Sequence, residues 1–150
     1  SLDQIKKLRT KTKAGVMDCR QALEESGGDM EKAEKWLKQK GLKAAEKRKE
    51  RSTSQGIIET YSHAEGKIVA VVELLCETDF VARTEDFKKL AHELAMQVAA
   101  MAPKNVNDFL KQPWIRDESQ KIEELIKDLI AKTGENIKVS RIARFELGEK

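Results

Sequence analysis

Few residues in this chain could do acid–base or metal chemistry, and their spacing does not assemble it. The two histidines, His63 and His92, have no Cys or His neighbour at zinc-ligand spacing. Acid pairs occur at Glu24–Glu25, Glu85–Asp86 and Glu123–Glu124, each inside a helical charge pattern. A catalytic carboxylate needs burial or a like-charged neighbour to shift its pKa, and a solvated helix face supplies neither. The chain has no GxGxxG, no GxxxxGK phosphate loop and no GxSxG elbow. No catalytic residue, metal site or cofactor is therefore expected, and the chain is expected to act by binding.

Two short stretches then stand out as binding candidates. Thr78-Asp79-Phe80-Val81-Ala82-Arg83 joins the most apolar run of the chain to an amphipathic helix. Such a junction runs over the surface, where a large aromatic has no packing role. Phe80 either folds back into the core or projects to enter a partner, and the residues alone leave both open. Val16 and Met17 stand side by side at a helix start. Neighbours on a helix cannot both face one core, and Met suits an adaptable protein surface; packing of both in the core is the alternative, and the residues alone leave it open.

The elements that must position these residues divide the chain. Leu2, Ile5 and Leu8 recur at helical spacing, Ala14-Gly15 breaks the pattern, and Val16 to Leu23 resumes it. Ser26-Gly27-Gly28-Asp29 is a stop and a restart, with Asp29 as N-cap. Met30, Ala33, Trp36 and Leu37 line a third helix that Gly41 is expected to end. A basic connector helix over 42–55 follows. An α+β core over 56–150 then starts with a β-prone run from Ile57 to Ser62, a turn at Ala64-Glu65-Gly66, and the strand Lys67 to Glu77. That second strand is apolar on both faces, so it belongs in the middle of a sheet or under cover on both sides. Thr84 reads as the N-cap of a helix carrying Phe87, Leu90, Ala91, Leu94, Ala95 and Val98 and closed by Pro103. A turn of helix falls at 107–111, and Ile122 to Ile130 forms a helix capped by Gly134. In the last strand Ile137, Val139, Ala143, Phe145 and Leu147 face one way, Lys138, Ser140, Arg144 and Glu146 the other, while Arg141 and Ile142 interrupt the alternation and leave one face only mostly apolar. The fold class is α+β: a three-helix head over 1–41, the basic linker helix, and a small three-stranded, mainly antiparallel sheet packed with helices on one face.

Bulk composition agrees with a binding protein. In 150 residues, 39% are hydrophobic and 37% charged, too apolar and too periodic for a disordered chain. Net charge is +3, with Lys38, Lys40, Lys43, Lys47, Arg48, Lys49 and Arg51 clustered against Glu46 and Glu50. Such a run could touch phosphates, yet it lacks interleaved aromatics and a groove-reading motif, so no direct nucleic-acid contact is expected. Cys19 and Cys76 sit in apolar patterns and read as reduced core thiols. No apolar run nears the ~20 residues that span a bilayer, and no signal-like stretch follows Ser1, so a protein without membrane contact is expected, of the bacterial cytoplasm or, as the alternative, of an organelle.

LRTKTKAGVMDCRQALEESGGDMEKAEKWLKQKG, residues 8–41, resembles the N-terminal domain of the elongation factor Ts family, and TDFVAR resembles its second signature. The similarity continues through residues 56–87 and, more weakly, to the C-terminus. It implies a guanine nucleotide exchange factor for elongation factor Tu, acting without covalent chemistry. The head would be a ubiquitin-associated-like bundle docking through Arg9, Val16, Met17 and Arg20. Asp79 and Phe80, flanked by Thr78 and Val81, would reach the partner near its magnesium and phosphate site, the Phe ring acting as a wedge. The chain departs from the family's common Thr-Gly-Ala-Gly-Met-Met at Lys13 and Val16, and Lys13 must hold a backbone that Gly adopts freely. It also lacks the second half-core and coiled-coil insertion of many members, and short members pair, which implies a homodimer through the core. Two readings compete from other classes: a ubiquitin-type or nascent-chain binding module, and a basic nucleic-acid binder.

Overall fold

A computed structural model describes residues 1–149, apart from the side chains of residues 44–46. The charge assigned to Glu46 and the end of the core at residue 150 lie outside the described residues. Helix α1 (Leu2–Thr12) is capped by the Ser1 hydroxyl, which accepts from the Gln4 N–H at 3.3 Å. Helices α2 (Val16–Glu25) and α3 (Met30–Arg48) follow, the latter capped by Asp29 as its position after two glycines suggested. The three helices enclose a small core of Leu8, Cys19, Ala22, Leu23 and Ala33, with Trp36 and Leu37 packed beside it.

Gly41 does not end α3. The helix runs through it to Arg48, so the first part of the basic connector is a continuation of the head's third helix. The physical reason lies across the molecule. A Cβ on Gly41 would stand 2.8 Å from the Ala131 Cβ, so this glycine lets α3 lie against a later helix instead of terminating it.

Strand β1 (Gln55–His63) and strand β2 (Ile68–Cys76) form an antiparallel hairpin. The one-turn helix α4 (Asp79–Ala82), helix α5 (Glu85–Met101) and helix α6 (Val106–Lys111) come next. A short ribbon of β3 (Pro113–Trp114) and β4 (Asp117–Lys121) then precedes helix α7 (Ile122–Thr133) and strand β5 (Ile137–Glu146). The main sheet has the order β1-β2-β5, all antiparallel, which places the doubly apolar β2 in the centre. Its inner face, with Ala70, Val72, Leu74 and Cys76, packs with Phe87, Leu94 and Val98 of α5, Ile126 of α7 and Phe109 of α6.

Two features differ from the sequence reading of the core. The apolar side of β5 is split: Ile137 and Val139 are buried, whereas Phe145 is 69% exposed. The register between β2 and β5 shifts at Glu73/Leu74, and a bulge moves alternate residues to the other face. Ile142 and Arg144 therefore join the inner face, and Ala143 and Phe145 the outer one, opposite Val71 and Val69. The β3–β4 ribbon was not expected. It is held by fully buried Gln97, whose Nε2 donates to the Pro113 carbonyl at 3.0 Å and whose Oε1 accepts from the Ile115 N–H at 3.0 Å.

Candidate functional site

The corner after β2 is built by two threonine caps in series. Thr78 Oγ1 accepts from the Val81 N–H at 3.3 Å and opens α4. Thr84 Oγ1 donates to the Val81 carbonyl at 2.7 Å, accepts from the Phe87 N–H at 3.3 Å, and opens α5. One helical turn between the caps sorts the side chains. Val81 and Ala82 turn into the core, at 7% and 4% exposure, while Phe80 is 72% exposed. An aromatic left in water on a corner anchored by its own neighbours is an unpartnered apolar knob.

Asp79, also exposed, forms an i,i+4 ion pair with Arg83 at 3.4 Å. Both groups are largely in solvent, so the pair is weak and yields to a competing partner. Cys76 Sγ donates to the Thr78 carbonyl at 3.0 Å, and burial, aided by nearby Glu135, pushes its thiol pKa up. It is a free, buried core thiol, as is Cys19.

The head presents a second patch around the α1–α2 turn. Gly15 is the N-cap of α2, and Val16 and Met17 in its first turn are 48% and 70% exposed. Arg20 lies one turn on, on the Val16 side, with its Nε donating to Glu24 Oε1 at 3.3 Å. Arg9 Nε donates to the Ala14 carbonyl at 3.4 Å, which brings it to the same turn. Lys13 closes α1 at φ 63°, the left-handed conformation in which a side chain is strained. Lys40 Nζ meets Asp18 Oδ1 at 2.7 Å and braces α2 against α3.

The histidines and acid pairs do not converge on either patch. Tyr61 hydroxyl and His63 Nδ1 share a hydrogen bond of 3.1 Å, and His92 packs edge-on to Tyr61. Among the described residues no three His, Cys, Asp or Glu side chains gather as metal ligands would, and no helix is long and apolar enough to cross a membrane. One residue at the Phe80 corner escaped sequence reasoning altogether. Glu135, more than fifty positions away in the chain, accepts from the Glu77 and Thr78 N–H groups at 3.2 and 3.0 Å and from Thr78 Oγ1 at 2.6 Å. A lone Glu after a helix-capping glycine carries no local signal of such a role.

The family model described as Elongation factor TS matches residues 77–150. Elongation factor Ts of Thermotoga petrophila is 43% identical over 192 aligned positions, spanning 99% of this chain and 96% of that protein. The protein of the same name from Coprothermobacter proteolyticus is 43% identical over 194 positions, spanning 99% and 98%. That from Synechococcus sp. (strain JA-3-3Ab) is 43% identical, spanning 97% of this chain and 68% of its own greater length. In the first two, the aligned length exceeds this chain's 150 residues, so those relatives carry residues opposite gaps here. The chain therefore belongs to the elongation factor Ts family, a family of translation elongation factors.

Proposed function

We propose that this chain promotes GDP release from elongation factor Tu by binding its nucleotide-free state. The observation that carries the reading is Phe80: 72% exposed, on a capped helical turn whose next two residues are buried. The reaction is dissociation, so it needs no catalytic side chain. A factor that binds the empty partner more tightly than the loaded one weakens nucleotide binding by the same ratio. A thousandfold weakening requires about 4 kcal/mol of differential binding. Burying one Phe side chain supplies roughly 1.5–3 kcal/mol, so Phe80 alone falls short.

The head makes up the difference. Arg9, Val16, Met17 and Arg20 are the docking residues, and Asp79 perturbs the metal environment by its charge while Phe80 wedges; Thr78 and Val81 hold that pair in place. Two contacts on one chain raise each other's effective concentration. The two contacts are the head, whose third helix runs on through the basic segment to Arg48, and the α+β core that follows, and the activity belongs in a bacterial cytoplasm, with an organelle as the alternative. The deciding experiment is release of fluorescent GDP from elongation factor Tu with and without this chain. Acceleration that saturates with factor concentration is expected, and an unchanged release rate would falsify the reading.

A second copy of the chain is the occupant we infer for the outer face of the sheet. That face carries Ile58 and Phe145, 58% and 69% exposed, around Val69, Val71, Leu75 and Ala143. Charges of both signs, Glu73 and Arg141, lie within it, and a two-fold contact needs only one self-complementary patch. Sedimentation equilibrium should show a dimer that Phe145→Glu dissociates; a monomer at all concentrations removes this reading.

A further inference from the structure

The loop between α7 and β5 touches both the Phe80 corner and the exit of α3. Glu135 holds the corner through the three hydrogen bonds given above. Next to it, Asn136 is 3% exposed, and its Nδ2 donates to the Lys49 and Arg51 carbonyls at 3.1 and 2.8 Å. Arg51 returns the contact: Nη1 donates to the Gly134 carbonyl at 3.2 Å and lies 3.8 Å from Glu77 Oε1. Three consecutive residues thus fasten the segment that carries the head to the turn that carries Phe80.

We propose that Glu135 is a positioning residue for nucleotide exchange, setting the aim of Phe80 through Thr78. The inference rests on the exchange reading above. Its chemistry follows from proton count. A threonine hydroxyl has one proton and two acceptor sites. With that proton committed to the Glu135 carboxylate, a Thr78 lone pair faces the Val81 N–H and fixes the first turn of α4. Helix α4 has four residues, too few to hold itself in water. Glu135 supplies from a distant part of the chain the anchoring that local sequence lacks. Asn136 then ties the same loop to residues leaving α3, so the Phe80 turn and the exit of the head's third helix share one support.

Glu135→Ala tests this with two readouts. In amide hydrogen exchange on the free protein, the Glu77 and Thr78 N–H groups should exchange about tenfold faster or more, the size of effect that local opening produces. Amides of β2 should keep their protection. In stimulated GDP release, the maximal rate should fall about tenfold to a hundredfold, as small misplacements do. The factor concentration for half-maximal stimulation should change little, because the head patch is untouched. Glu135→Gln keeps the chain length and one carbonyl acceptor for the two N–H groups but turns an amide donor toward Thr78 Oγ1, so it should restore most of the amide protection and only part of the maximal rate. Wild-type amide protection together with a wild-type maximal rate in Glu135→Ala overturns the proposal, as does a uniform loss of protection across β2. If the unmutated chain leaves GDP release unchanged, the exchange reading falls with its positioning role, while the amide data still report whether Glu135 holds the corner.

Discussion

Gly41 of α3 lies against Ala131 of α7 so closely that a Cβ on the glycine would stand 2.8 Å from the alanine's. The contact sets how the head meets the core, with the Lys38–Glu124 ion pair at 3.5 Å beside it. Gly41→Leu should therefore push α3 off α7. Thermal unfolding is expected to show a loss of about 1–3 kcal/mol, typical of overpacking, despite leucine's better helix propensity. Exchange activity should fall further than stability, since both docking patches depend on this junction. An unchanged melting temperature would mean that the helices slide apart at no cost.

Phe80→Ala separates the wedge from the core. The side chain is 72% exposed, so stability should stay within about 0.5 kcal/mol of wild type, as for surface substitutions. Stimulated GDP release should slow roughly ten- to hundredfold, the equivalent of losing one buried Phe. A protein that unfolds easily but exchanges normally while folded would make Phe80 a packing residue.

Met17→Asp addresses the head. Because α3 continues past Gly41 onto α7, deleting residues 1–41 would cut a helix and bare its packing face, so a point change is the cleaner probe. Met17 is 70% exposed, and its replacement should leave unfolding unchanged. The factor concentration for half-maximal stimulation should rise about tenfold, the loss expected of a central contact residue. Equal affinity in titrations of the two proteins would remove the head from the interface.

Lys13→Gly should stabilise the chain. Lys13 sits at φ 63° with its N–H bonded to the Arg9 carbonyl at 2.8 Å, a bond glycine keeps. The left-handed backbone costs a side-chain-bearing residue roughly 1–2 kcal/mol. Glycine's extra unfolded-state freedom returns about 0.5–1 kcal/mol of that. A net gain of up to about 1.5 kcal/mol in chemical denaturation is the expected result, and a loss would show that the lysine side chain holds a contact worth more than the strain.

Asp128 gives the chain a pH-dependent contribution to stability. Burial raises its carboxyl pKa, against the lowering influence of Lys38 and Lys132. A folded-state pKa above the unfolded one means that the protonated form favours folding. That contribution is fully present below the unfolded carboxyl pKa and is lost as pH rises through the folded one. Asp128→Asn, which cannot ionise, should therefore be more stable than wild type at neutral pH, with the difference shrinking in acid. Melting temperatures of both proteins across that range check the sign, and an advantage that grows in acid would reverse it.

Local chemistry determined much of this protein. Two glycines and an aspartate start α3, Thr84 caps α5, Gly134 caps α7, and a run apolar on both faces became the central strand. Those signals are written within a few residues of where they act, so the sequence alone carries them. Helical spacing beside a strand end left Phe80 open between core and surface, and the capped turn of α4 turned it outward with Val81 inward. Long-range contacts decided the rest. Gly41 has the residue type of a helix stop, and only Ala131 on α7 shows it to be a packing position. The β5 pattern showed an interruption at Arg141 and Ile142, and only the pairing with β2 shows it to be a bulge that turns Phe145 outward. Gln97 carries no local signal of its role, which exists only because the β3–β4 ribbon folds over it. Glu135 meets Thr78 across more than fifty residues of chain, and nothing nearby in sequence encodes a hydrogen bond whose donor arrives only when α7 and β5 have packed.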